Sequence, residues 1–295
     1  MWSYYTDKRN DNLEYIGLPF VTNLSEVRTH CLLFDTCMLF NYVNAESGIE
    51  SIDLSIQGLK ANNTIVLLWA TDLSLLKLTK EHRDELLTQV NGIVAINEHI
   101  KNVLSAYYFC HIGILRLPAY VIKQNHIKQP LVTVVNDIDI YGTPFIVSLF
   151  EGLSSNIDKV FIGKAINSGY TYLEGELLKV CKWYPEASRH FISDIASKTS
   201  IYVHINNQNI NPIWFTTFAL SGSWIFASKG DIVFDEYKSV QRFNNVSDAV
   251  AIIETYLGAN KLADPHIVYP DIIEKHSVGE FKQSLQKTFL EINNV

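Results

Sequence analysis

Short apolar runs alternate with helical patterns along most of this chain, and that alternation leaves few architectures open. Strand-like runs are read at 14–20, 31–34, 64–69, 92–96 and 113–117, with helical stretches at 48–60, 79–90 and 97–108. Thr79, Glu81 and the apolar Leu86, Leu87 and Val90 have the spacing of a capped amphipathic helix. The opening residues, 1–12, are polar and aromatic and read as a lead-in. Residues 118–130 read as a connector, with two prolines, several polar side chains and no clear period. The alternation then restarts. Strands are expected at 131–135, 159–162, 200–204, 224–227 and 239–243, and helices at 144–153, 170–181, 185–197, 247–257 and 278–292.

Strands that alternate with helices pair in parallel and carry helices on both faces. The fold class expected is therefore α/β. Two such series split by a connector predict two Rossmann-like domains, at 1–122 and 123–295. Ligands of open α/β sheets bind beyond the carboxyl ends of the strands. With two facing domains, the expected site is the cleft.

Composition narrows the function. The net charge of −7 repels phosphate backbones, so DNA is a possible partner but a disfavoured one. The four cysteines, Cys31, Cys37, Cys110 and Cys181, form no CxxC pair and have no histidines at zinc spacing, which suits buried apolar thiols. Low cysteine use without a signal peptide points to a reducing, cytoplasmic setting. No apolar run approaches the roughly 20 residues that span a bilayer, so no transmembrane segment is expected. The histidines are scattered without HxxxH pairing, and Asp137 and Asp139 read as a turn, so no metal is expected. No P-loop or nucleophile elbow occurs.

The segment NINPIWFTTFALSGSWIFAS, 209–228, concentrates the pattern. An apolar helix stops at Gly222 and passes directly into a buried strand. In order, NGIVAINEHIKNVL (91–104) with IGILRLPAYV (112–121), LVTVVNDIDIYGTPFIVSLFEGL (131–153), KVFIGKA (159–165), this segment and the tail HSVGEFKQSLQKTFLEI (276–292) resemble GT-B glycosyltransferases of the family 4 type. The resemblance covers about two-thirds of the chain. It implies a short first domain that binds the acceptor, a second that binds a nucleotide-sugar donor, and a last helix that crosses back to the first domain. The donor is then a substrate, and no cofactor is needed. The acceptor is a hydroxyl of a glycan, protein or other molecule.

The chain departs from the family where charge is concerned. The resemblance implies an arginine and a lysine after the first strand of the second domain, whereas this sequence runs from Asn136 to Gly142 without a cation. Two family glutamates fall on Asn209 and Thr217, which still hydrogen-bond hydroxyls but supply no charge. A leaving nucleotide diphosphate needs electrostatic stabilisation. Lys164, directly after the strand at 159–162, is the candidate cation, and Asn136 a candidate phosphate contact. Asn207, Asn209 and Asn211 precede Pro212, whose place at a helix start leaves backbone N–H groups for a diphosphate. Thr216 and Thr217 follow one turn later. In the first domain, Asp72 ends the strand at 64–69 as a candidate acceptor contact or general base.

Three sugar-directed activities are consistent with these residues, beside the plain alternative of a Rossmann-like sensor or interaction protein that takes no sugar. The first is metal-independent transfer of a sugar from a nucleotide sugar to a hydroxyl. The second is a non-catalytic GT-B-like subunit that recognises sugar or regulates another transferase. The third is a phage-type glycosyltransferase acting on modified DNA.

Overall fold

Parallel strands buried on both faces read as near-continuous apolar runs, and several central strands of this chain do so. Its computed structural model describes residues 2–5, 20–21, 37–42, 65–70, 73–119, 127–165, 168–205, 213–259 and 263–293. The chain divides into two units, Met1–Pro118 with Lys275–Val295 (unit 1) and Ala119–Glu274 (unit 2).

Unit 1 holds a six-stranded, all-parallel sheet. Its strands are β1 (Trp2–Tyr5), β2 (Phe20–Val21), β3 (Cys37–Tyr42), β4 (Ile65–Ala70), β5 (Gly92–Ala95) and β6 (Ile112–Ile114), in the order β2-β1-β3-β4-β5-β6. Helix α1 (Lys80–Gln89) starts where expected, with Thr79 Oγ1 accepting from the His82 amide. Helix α2 (Glu98–Ser105) starts on Asn97, whose Oδ1 accepts from the Ile100 amide at 2.8 Å. The indole of buried Trp69 donates to the Leu115 carbonyl at 3.1 Å, tying β4 to the chain beyond β6.

The expected lead-in at 1–12 is corrected: Trp2–Tyr5 is a strand inside the sheet, paired to β2 and β3. Its four residues are too few to show a period, and the partners that hold it lie far along the chain. The expected elements at 31–34 and 48–60, and most of 14–20, lie outside the described residues.

Unit 2 holds a second six-stranded parallel sheet. Its strands are β7 (Gln129–Val135), β8 (Asp158–Ile162), β9 (Lys182–Tyr184), β10 (Thr199–His204), β11 (Trp224–Ser228) and β12 (Gln241–Phe243). Their order, β12-β11-β10-β7-β8-β9, is the doubly wound order of a Rossmann sheet, with the direction of winding reversing between β7 and β10. The helices are α3 (Gly142–Gly152), α4 (Tyr172–Val180), α5 (Arg189–Lys198), α6 (Ile213–Leu220), α7 (Val246–Gly258), α8 (Pro265–Val268) and α9 (Pro270–Lys275). Successive residues of each strand feed opposite cores. Val132, Val134, Ile201 and Val203 meet Ile146, Leu149 and Phe150 of α3. Leu131 and Tyr202 meet Phe215 and Phe218 of α6 on the other face.

Three local expectations change. The connector at 118–130 ends earlier, because β7 begins at Gln129 with Pro130 at its exposed start. The helix expected from 185 begins at Arg189, after Ser188, whose hydroxyl accepts from the Phe191 amide at 3.2 Å. Strand β9 was not expected, since three half-exposed residues at a sheet edge carry little apolar signal.

Gly222 stops α6 as the sequence indicates. Its φ is +83°, the Ser223 amide donates to the Phe218 carbonyl, and its own amide donates to Ala219. That is the paired closure of a Schellman stop. The last helix, α10 (Val278–Asn293), belongs to unit 1. A Cβ at Gly113 of β6 would lie 2.8 Å from the Thr288 hydroxyl, and Phe281 sits against Trp69 with ring centroids 6.4 Å apart. His276 Nδ1 lies 2.7 Å from the Leu117 carbonyl, so Nδ1 carries the proton. Among the described residues no helix is long and apolar enough to cross a membrane.

Gly222→Ala should lose about 1–2 kcal/mol in urea unfolding, because a side chain is strained at that φ. Gly175→Ala, mid-helix in α4 with nothing within 4 Å of the new Cβ, should gain about 0.5–1 kcal/mol. Burial, with smaller contributions from Arg116 and Lys275, pulls the His276 pKa from 6.5 down to about 4. As pH falls the unfolded chain takes up this proton first, so stability present above pH 6.5 is lost between about 6.5 and 4, by on the order of 3 kcal/mol. Urea midpoints across that window should show the loss, and His276→Gln should flatten it.

Candidate functional site

The carboxyl ends of β7, β8 and β10 meet at the reversal of winding in unit 2. There the chain keeps its ladder past the strands: the Asn136 amide donates to Ile162 O at 2.9 Å and the Ile138 amide to Lys164 O at 2.9 Å. Gly163 makes this approach possible. A Cβ there would lie 1.7 Å from the Asn136 carbonyl oxygen, at a φ of +151°. The Gly163 amide donates to Tyr184 O, and its carbonyl accepts from the Trp183 indole at 2.8 Å.

Asn136 then reaches across the reversal, with Nδ2 donating to the Ile205 carbonyl at 3.2 Å. One of its two amide protons is thereby engaged within the protein. Gly142 fits beneath, where a Cβ would meet Asn136 Nδ2 at 3.4 Å and Ile205 at 3.6 Å. Asp139 is buried and works as a cap. Its Oδ1 accepts from the Tyr141 and Gly142 amides at 2.7 and 2.6 Å, and its own amide donates to the Thr143 hydroxyl. The Asp-Ile-Asp turn thus satisfies the orphan N–H groups at the start of α3. Among the described residues no three His, Cys, Asp or Glu side chains gather as a metal group.

Lys164 stands at the same edge as Asn136, its backbone bonded to Ile138. Its ammonium lies 3.8 Å from Glu186, both side chains largely exposed at 68% and 82%. A solvated pair of this kind contributes little stability and leaves the lysine able to turn to an anion. Thr216 and Thr217 sit in α6 at 3% exposure each, inside the packed layer. Asp72, Asn207, Asn209 and Asn211 lie outside the described residues.

Two polar side chains at this edge were not expected. His204, the last residue of β10, places Nε2 3.2 Å from Oδ2 of Asp231, which follows β11. Asp231 also caps the next turn through Oδ1 to the Val233 amide. Nothing in their sequence spacing marks them as a pair, because adjacent parallel strands join them only after a full crossover.

No family model matches the sequence, and no curated protein matches it. Solved structures do match. Anabaena HepE, crystallised with UDP-glucose, aligns with a TM-score of 0.70 at 10% identity, over 99% of this chain and 100% of that one. A glycosyltransferase from Rickettsia africae aligns with a TM-score of 0.66 at 8% identity, over 98% of this chain and 89% of that one. The lipopolysaccharide outer core galactosyltransferase WaaB gives 0.59 at 10% identity, over 99% of each chain. This chain has the GT-B fold.

At the edge of this GT-B chain's unit 2, one carboxylate oxygen does the capping at α3. Asp139→Asn should therefore retain most stability, whereas Asp139→Ala should lose about 1 kcal/mol in urea unfolding.

Proposed function

We propose that the protein is a glycosyltransferase that moves a sugar from a nucleotide-sugar donor to an acceptor hydroxyl. The observation that carries this reading is the match over the whole chain to GT-B structures, one of them holding UDP-glucose. The donor would bind at the carboxyl edge of unit 2, where a doubly wound sheet opens at its reversal. Lys164 would face the diphosphate, and Asn136 would offer its remaining amide proton to it. Asn207, Asn209 and Asn211 would contact the donor ahead of α6, with Thr216 and Thr217 supporting that helix from within. The acceptor would bind at the carboxyl edge of unit 1, with Asp72 as its hydroxyl contact or base. Transfer would need no metal, the diphosphate being met by a lysine and by backbone and side-chain N–H groups.

One observation favours a non-catalytic sugar-binding role instead. The first N–H groups of α3 are already taken by Asp139, a carboxylate placed where the resemblance implies cations. Both readings require donor binding, and only the first requires transfer.

A ligand that binds only the folded state raises its melting temperature. UDP-glucose, ADP-glucose and GDP-mannose should be screened singly, and a donor at a hundredfold excess over its Kd should raise Tm by about 5 °C. Free nucleotide should then accumulate from that donor, unchanged by EDTA. No Tm rise with any donor overturns both readings. A Tm rise without nucleotide release, across a panel of glycan acceptors, leaves the non-catalytic one.

A further inference from the structure

Buried polar atoms in folded proteins are nearly always hydrogen-bonded, and an exception points to a missing partner. Unit 2 concentrates two exceptions at adjoining strand ends, and a third, Arg242 Nε, belongs to the side chain bonded to the Asp231 carbonyl. His204 Nδ1 and Asp231 Oδ2 are both buried with no hydrogen-bond partner among the described residues. The side chains that carry them are 11% and 1% exposed. Oδ2 lies 3.2 Å from His204 Nε2 but outside hydrogen-bond alignment. The pair sits at the carboxyl ends of β10 and β11, and β10 flanks the reversal of winding.

The surroundings hold this pair in place. Phe234 covers the imidazole, with centroids 4.8 Å apart, and Phe234 in turn packs against Phe215. Arg242 Nη2 donates to the carbonyls of Lys229 and Asp231 at 3.1 and 2.7 Å, while Nη1 lies 3.3 Å from Asp235. The loop bearing Asp231 is thus clamped from β12. A carboxylate only accepts, and an imidazole both accepts and donates. Oδ2 faces Nε2, whereas the bare Nδ1 lies on the opposite side of the ring, so Oδ2 is the atom that matches a group donating a hydrogen bond.

We propose that His204 and Asp231 form a polar contact of the donor site, taking a hydroxyl or ring N–H of the nucleotide sugar. This rests on the donor reading of unit 2. Asp231 Oδ2 accepts from the ligand, and His204 lines the contact from the neighbouring strand end with Nε2, 3.2 Å from that oxygen. Both sources of such a group, the nucleoside and the transferred sugar, have the same chemistry.

Full-length protein labelled with 15N-histidine should be titrated with UDP, UDP-glucose, ADP-glucose and GDP-mannose, reading the imidazole nitrogens and Tm together. His204→Gln assigns the resonance. The expected result is that a ligand that raises Tm also moves a His204 nitrogen by several ppm, and that His204→Gln and Asp231→Asn bind it about tenfold more weakly. Movement with UDP alone assigns the contact to the nucleoside, and movement only with UDP-glucose assigns it to the sugar. A Tm rise with unmoved His204 nitrogens, or with unchanged affinity in His204→Gln, overturns the contact and leaves the donor reading standing. No Tm rise and no movement with any ligand overturns both. The resonance is read on the unaltered protein, so the outcome does not depend on Asp231→Asn folding.

Discussion

The carboxyl edge of unit 2 depends on one absent side chain. Because Gly163 has no Cβ, the chains leaving β7 and β8 run against each other beyond the sheet. That contact fixes where Asn136 points, and Asn136 in turn ties the end of β7 to the end of β10. The peptide of Gly163 reaches β9 through Tyr184 and Trp183. Four strand ends are thus held around a single residue by backbone groups, the Asn136 side-chain amide and the Trp183 indole. A site built on such an edge inherits rigid walls, and rigid walls let a few polar groups recognise a ligand without first being ordered.

The electrostatics of that edge differ from what the resemblance to family 4 implies. Charge there is local and mostly matched: Asp139 by amides and Lys164 by Glu186. Neutral amides and backbone dipoles dominate. A ligand bound at such a surface would be selected by hydrogen-bond geometry more than by net attraction, in keeping with the overall negative charge of the chain.

Much of the architecture was legible because its signals are local. Strands β4, β5, β7, β8, β10 and β11 are apolar runs buried on both faces, and Thr79, Asn97 and Gly222 mark helix ends within a few residues. What escaped was short or non-local. Strand β1 and strand β9 are held by partners across the sheet. Helices α8 and α9 are one or two turns each, opened by Pro265 and Pro270, too brief to show a period. Lys164 and Asn136 were found as strand-end residues, and the sheet does set them at one edge. His204 and Asp231 escaped because their kinship exists only across two parallel strands.

Unit 2 is an insertion in unit 1, since the chain leaves unit 1 after Pro118 and re-enters it at Lys275. The helix that covers Gly113 and Trp69 is therefore synthesised after the whole of unit 2. During vectorial synthesis unit 2 is complete while β6 still lacks its cover. Unit 1 therefore carries part of its apolar surface bare through the synthesis of unit 2, until the sixteen residues of α10 emerge to cover it.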